Sequence, residues 1–280
     1  MKAIPLFKII IVFTGLAVLL ACGSLINRSG TKVIRIGGSD TMYILGQEWA
    51  AAYMQEHPGI AVYVEAGGTA RGFEKLARGE VDIAMASRVI LSMEASHLAD
   101  QYQMIGVSHL VAKDALSIYL NKKNPVSNLT LEQLRKIFTG KIKNWMAVSG
   151  MPAPIEVVIR PPSSGTRLYF KKHIMADANY SPKAKILTTT NAVVQYVASD
   201  TNAIGYGGIS YGKSVKHCLI EGISPNINNI RTDQYPLTRY LYLYTVNNPA
   251  GELRNFIDWV IQSKGQRIVK KVGYIPLWQF

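Results

Sequence analysis

Residues 160–170 read Arg-Pro-Pro-Ser-Ser-Gly-Thr-Arg-Leu-Tyr-Phe. Arg160 precedes a hydroxyl-rich turn, and Ser164, Gly165 and Thr166 fall where an amphipathic helix begins. The first N–H groups of a helix lack internal partners, and its dipole is positive there. Two readings follow. Ser164 or Thr166 caps the helix, or the hydroxyls, the free N–H groups and Arg160 together seat a small tetrahedral anion.

Three more loops carry the same chemistry. They are Gly38-Ser39-Asp40-Thr41, then Gly67-Gly68-Thr69-Ala70-Arg71-Gly72, then Ser87-Arg88. Each follows an extended apolar run. Glycine lets a backbone approach an anion closely, hydroxyls donate to it, and guanidinium matches a tetrahedral oxyanion in bidentate fashion. Any one loop is ordinary turn chemistry. Four of them at strand ends point to one shared anion site, because open α/β sheets hold ligands at the carboxyl ends of their strands.

The elements that must position these loops are legible in the patterning. Val33–Ile36 is a short β-branched strand. Leu45, Trp49, Ala52 and Tyr53 recur at helical spacing, up to Pro58-Gly59. A second strand, a short helix closed by Gly79 and the strand Val-Asp-Ile-Ala-Met-Ala complete a β-α-β-α-β alternation, which implies an open, mostly parallel sheet. Residues 104–120 and 235–246 read as extended, the second rich in tyrosine and leucine. Thr130 with Gln133 forms a capping box. Two helices, divided at Gly265, lead to a terminal Val-Gly-Tyr-Ile-Pro-Leu-Trp-Gln-Phe that docks as a tail on one lobe.

The chain start bounds the setting. Lys2 and Lys8 flank an apolar stretch, Ile9–Leu20, of signal-peptide length and short for a membrane span. It ends Leu19-Leu20-Ala21-Cys22, which resembles a bacterial lipobox with Cys22 as the lipidated residue. Residues 1–22 thus read as a lipoprotein signal peptide with its cysteine, and 23–32 as a polar tether. Removing Lys2 and Lys8 from the 31 Lys and Arg leaves 29 against 18 Asp and Glu, a net charge of +11. For an exported chain such charge points to small anions or anionic surfaces, not nucleic acid. With Cys22 lipidated, Cys218 has no partner within the chain, so a hydrophobic core must carry stability.

Enzyme chemistry finds no support. His57, His97, His109, His173 and His217 are scattered without metal-binding spacing, and neither a nucleophile elbow nor a Walker A sequence occurs. No cofactor or metal is expected.

The motifs GSDT with WAAAY, GGT with DIAMASR, R-x-x-x-SGT, IGYGGISY, YPLTRYLYLY and GYIPL occur in this order. Over residues 33–277 they resemble the phosphate-binding lipoproteins and periplasmic proteins that serve the ABC-type phosphate importer. The resemblance implies an α/β, two-lobed type II periplasmic-binding-protein fold, each lobe a mostly parallel sheet flanked by helices. Lobe 1 is expected over 33–112 plus 238–280, and lobe 2 over 113–237. It further implies an extracytoplasmic, monomeric, membrane-anchored receptor that delivers inorganic phosphate to permease subunits. The alternatives are another oxyanion (sulfate, molybdate or phosphonate) or a lipid-anchored sensor or adhesin.

By matching motif, Ser39, Thr41, Thr69, Arg160, Ser164, Gly165 and Thr166 are expected at phosphate, with Asp40, Gly68, Ser87 and Arg88 completing the site. Ser163 and Arg167 are neighbours. The chain departs from one branch of the family, whose third loop offers an aspartate that accepts the phosphate proton. Arg88 stands there, and arginine accepts no hydrogen bond. Asp40 is the nearest replacement. The alternatives for Asp40 are a cap on the helix that follows it or a pair with Arg88.

Overall fold

The computed structural model describes residues 31–278, so the expected signal peptide, Cys22 and most of the expected tether lie outside the described residues. The Val33–Ile36 run forms β1 (Lys32–Gly38), which pairs in parallel with β2 (Ile60–Ala66) and β3 (Ile83–Ala86). One 3₁₀ turn at Asp40–Met42 leads into α1 (Tyr43–Glu56), which buries Leu45, Trp49 and Tyr53 at the anticipated spacing. Next in the chain come α2 (Thr69–Ala77) and, after β3, α3 (Ser92–Tyr102). Sequence patterning leaves α3 unassigned, because Leu98 is its one fully buried residue and gives no periodic signal.

Two long strands cross the centre. The first part of β4 (Val107–Leu120) pairs antiparallel with β10 (Thr238–Thr245), and its last residues pair with β8 (Ala203–Gly208). Beyond them, β6 (Glu156–Ile159) lies parallel to β8 and to β7 (Lys185–Ile186). A side branch holds β5 (Asn128–Leu129) and β9 (Lys216–Ile220). The main order is β2-β1-β3-β10-β4-β8-β6-β7. The sheet is therefore parallel except around the two crossing strands, as the α/β reading anticipates.

Helices cover the sheet. In the middle of the chain these are α4 (Leu131–Phe138), α5 (Gly165–His173), α6 (Thr190–Ser199) and α7 (Ile227–Arg231). The capping box on α4 is formed: Gln133 N–H donates to Thr130 Oγ1 at 3.0 Å, and Thr130 N–H donates to Gln133 Oε1 at 2.8 Å. The last two are α8 (Gly251–Ile261) and α9 (Ser263–Val272). Their break falls at Gln262 and not at Gly265, which sits inside α9. A Cβ at Gly265 would run into the Val260 backbone, so this glycine permits close packing.

Buried side chains gather chiefly in two packed groups. One joins residues from Ile34 to Ala112 with Leu241–Tyr274, around Trp49, Tyr53 and Phe256. The other joins residues from Ala115 to Leu237, around Phe138, Trp145 and Phe170, with Ile275 added. The terminal segment therefore touches both groups and not one alone. Tyr274 belongs to the first, where its hydroxyl donates to Thr41 O at 2.5 Å, while Lys113 and Ile275 exchange two backbone bonds of 2.9 Å. Trp278 ends the described chain, 44% exposed.

Candidate anion-binding site

The loops meet where helix starts from one half face strand ends of the other. The first two loops are tied together by Gly68 N–H, which donates to Gly38 O at 2.8 Å. Gly68 has φ +105°, and a Cβ there would lie 2.6 Å from Ser163 O. Glycine thus allows the second loop to touch the turn before α5. Ala70 N–H donates to that same Ser163 oxygen at 3.2 Å. Thr69 and Ser87 are fully buried, with their hydroxyls 3.3 Å apart. A Cβ at Gly165 would run into both hydroxyls. Thr41 Oγ1 lies 2.9 Å from Thr166 Oγ1. Ser39, Thr41, Thr69, Ser87, Ser164 and Thr166 are all almost completely buried. Such a concentration of buried hydroxyls is costly unless each has a partner.

Ser164 does cap α5. Its hydroxyl accepts from Arg167 N–H, at a long 3.3 Å. The capping reading and the anion reading are compatible, because the N–H groups of Gly165 and Thr166 precede Arg167 and have no carbonyl partner inside the helix. Arg167 itself turns away. Its Nη1 donates to Arg160 O at 2.8 Å, and its guanidinium lies 4.8 Å from the Tyr180 ring centre.

Arg160, 2% exposed, is a buried cation of this cluster. Its Nη1 lies 3.0 Å from Asp40 Oδ2 and 2.5 Å from Thr190 Oγ1, and its Nη2 donates to Thr188 O at 2.9 Å. Nε has no partner among the described residues, so one buried donor is left over. Burial pushes the guanidinium pKa down, and the Asp40 carboxylate pulls it back up. Asp40 does not cap the helix that follows it, whose N-cap residue Met42 makes no side-chain bond; its carboxylate instead reaches the start of α6 across the molecule. Thr190 N–H and Thr190 Oγ1 donate to its Oδ2 at 2.7 and 2.8 Å. All these donors reach Oδ2, so Oδ1 stands outside the set.

Arg88 is not brought to this cluster. Its Nη1 and Nη2 grip the Glu94 carboxylate at 2.7 and 2.6 Å, and its guanidinium lies 5.7 Å from the centre of the Phe73 ring. Glu94 sits at the start of α3, where it also accepts Leu91 N–H at 2.9 Å. The unassigned helix thus supplied the partner that sequence reading lacked. The Asp40–Arg88 pair is not formed either.

Sequence reasoning missed three residues. Thr190 joins Asp40 to Arg160, and its signal was the Thr188-Thr189-Thr190 run at the start of α6. The other two are Asp114 and Arg239, register partners on β4 and β10. Arg239 Nε and Nη2 lie 2.9 and 2.7 Å from Asp114 Oδ2, and Nη1 donates to Thr166 Oγ1 at 3.0 Å. Their signal was Arg239 as the one charge in 235–246 and Asp114, beside Lys113, in the largely apolar 104–120. Among the described residues no cluster of His, Cys, Asp and Glu could hold a metal ion. Nor is any described helix long and apolar enough to cross a membrane.

Comparison with known proteins places this architecture. The model of the PBP superfamily domain matches residues 27–264. The chain belongs to the PBP superfamily. Its relatives there include the phosphate-binding protein PstS of Bacillus subtilis (strain 168), 33% identical over 248 residues, covering 87% of this chain and 80% of the relative. The phosphate-binding protein PstS of Pseudomonas aeruginosa is 31% identical over 263 residues, covering 86% and 81%. Among solved structures, a substrate-binding protein from Clostridium perfringens with bound phosphate has a TM-score of 0.82 at 28% identity, covering 88% of this chain and 100% of that one. An ABC-type phosphate transport receptor from Vibrio cholerae has a TM-score of 0.72 at 32% identity, covering 86% and 99%. The family resemblance carried by the ordered motifs and the two-lobed α/β fold both hold.

Proposed function

We propose that this PBP-superfamily protein captures inorganic phosphate between two lobes and delivers it to an ABC-type permease, acting as an extracytoplasmic receptor anchored through Cys22. The observation that carries the reading is the convergence of buried hydroxyls and helix-start N–H groups from both halves of the chain around Arg160. Ser39, Thr41, Thr69 and Ser87 donate from one side. Ser164, Gly165 and Thr166 donate from the other, and Gly68 permits the close backbone approach. Arg160 supplies charge. Micromolar binding needs about −8 kcal/mol. Some ten charge-assisted donors at roughly 1.5–3 kcal/mol each suffice after desolvation and closure.

The lobes are 33–112 plus 238–280 and 113–237. The division of the core supports this, since packing changes over between Ala112 and Ala115 and again between Leu237 and Leu241. The anion favours the closed state through contacts to both lobes. Arg88, held by Glu94, stabilises the third loop and leaves the ligand to its neighbours. Asp40 offers Oδ1 to the proton that phosphate carries and sulfate lacks, while Oδ2 is fixed by Thr190 and Arg160. The protein binds and releases without covalent chemistry.

Calorimetric titration of the mature protein with phosphate, repeated in excess sulfate, tests the reading. The expected result is tight binding that sulfate does not displace. Equal displacement by sulfate, or preference for molybdate or a phosphonate, replaces phosphate with that oxyanion. Absence of any oxyanion binding refutes the site.

A further inference from the structure

Arg239 and Asp114 form an ion pair, 4% and 0% exposed, on the two crossing strands. A buried pair adds little net stability, because desolvation offsets the attraction and apolar residues of similar volume often do as well. What it does provide is direction. Nε of the guanidinium donates to Asp114 Oδ2 at 2.9 Å, Nη2 lies 2.7 Å from the same oxygen as a charge contact without a hydrogen bond, and Tyr169 stands over the group with its ring centre 5.7 Å away. The third arm, Nη1, is thereby fixed on Thr166 Oγ1 at 3.0 Å.

Arginine only donates, so Thr166 must accept. The guanidinium then occupies one lone pair of that hydroxyl and repels its hydrogen to the far side. Thr41 Oγ1 lies 2.9 Å from that same hydroxyl oxygen and is its other hydrogen-bond partner. We infer that Arg239, held by Asp114, is a positioning residue that makes the Thr166 hydroxyl donate to Thr41 Oγ1, so that the Thr41 hydroxyl is the donor left to aim at the bound anion. This rests on the phosphate reading above and deepens it. Thr41 and Thr166 come from opposite halves of the chain, and Arg239 sits on a strand that links them. The orientation is therefore assembled only when the halves meet.

A double-mutant cycle on phosphate affinity tests this. The neutral exchange Asp114→Asn with Arg239→Gln removes the charges together, so no buried carboxylate is left alone. In the wild-type background it is expected to weaken phosphate about tenfold, the loss of one charge-assisted bond. In a Thr166→Val background the same exchange is expected to change affinity by less than about twofold, the limit set by ordinary additivity. Equal weakening in both backgrounds overturns the inference, since the pair would then act elsewhere, as would no weakening in either. Thermal melts of the ligand-free proteins check folding. Should the exchanged pair fail to fold, Arg239→Lys takes its place in the cycle, because lysine keeps the charge but lacks the fork that reaches Asp114 and Thr166 together. Wild-type protein that binds no phosphate removes the functional reading itself, and the inference with it.

Discussion

At the residue scale, Arg160 and Asp40 carry the most testable chemistry. Each is buried against the other and against Thr190, so removing one strands a charge. Arg160→Ala is expected to cost about 3–5 kcal/mol, roughly two to three and a half decades in phosphate affinity. Calorimetry reads this directly. Asp40→Asn is expected both to weaken phosphate and to narrow its advantage over sulfate, because the acceptor for the ligand proton is lost. An unchanged phosphate-to-sulfate ratio would leave Asp40 as a cap for α6 alone. Cys218 makes a contrasting case. Burial pushes its thiol up to about 12, and it is a fully buried member of the second packed group. It should not react with thiol reagents at pH 8 until the protein is unfolded.

At the element scale, the helix starts do two jobs, which can be separated by mutation. Thr130→Ala removes the cap of α4, far in sequence from the proposed ligand residues. It should cost about 1 kcal/mol, a melting shift of roughly 2–4 °C, with phosphate affinity unchanged. Gly165→Ala places a methyl group against Thr69 and Ser87. Affinity should fall by more than the melting temperature suggests, because the methyl obstructs approach of the halves. The contrast also shows which elements could be read from sequence. Strong signals such as the Thr130–Gln133 box and the β-α-β-α-β alternation translate directly into α4 and the first parallel strands. A helix such as α3, which buries one residue completely, leaves no such trace. Without that helix the sequence shows no protein partner for Arg88, whereas Glu94 in its first turn grips both Nη atoms. Asp114 and Arg239 were hidden for another reason. Their partnership depends on the register of strands more than a hundred residues apart, which local patterning does not encode.

At the scale of the whole molecule, proton binding ties stability to pH. His109 and His217 are both held below the ordinary histidine pKa by burial. As pH falls below about 6.5, the unfolded chain takes up protons that the folded protein refuses. Stability is therefore full above that range and is lost as pH falls through the lowered folded-state values. Melting temperatures measured from pH 8 down to pH 5 should decline, and His217→Gln should flatten the decline. Closure on phosphate should also make the particle more compact, which small-angle scattering with and without ligand reads as a smaller radius of gyration.

The terminal segment offers a way to watch that movement without labels. Tyr274 is bonded to Thr41 and Ile275 is laced to Lys113, so the strand end is anchored on either side of the seam, with Trp278 just beyond at the surface. An indole so placed senses any rearrangement of its anchorage through its emission. Stopped-flow fluorescence should consequently resolve an optical transient on mixing with phosphate, and Trp278→Phe should abolish the share of the signal arising there.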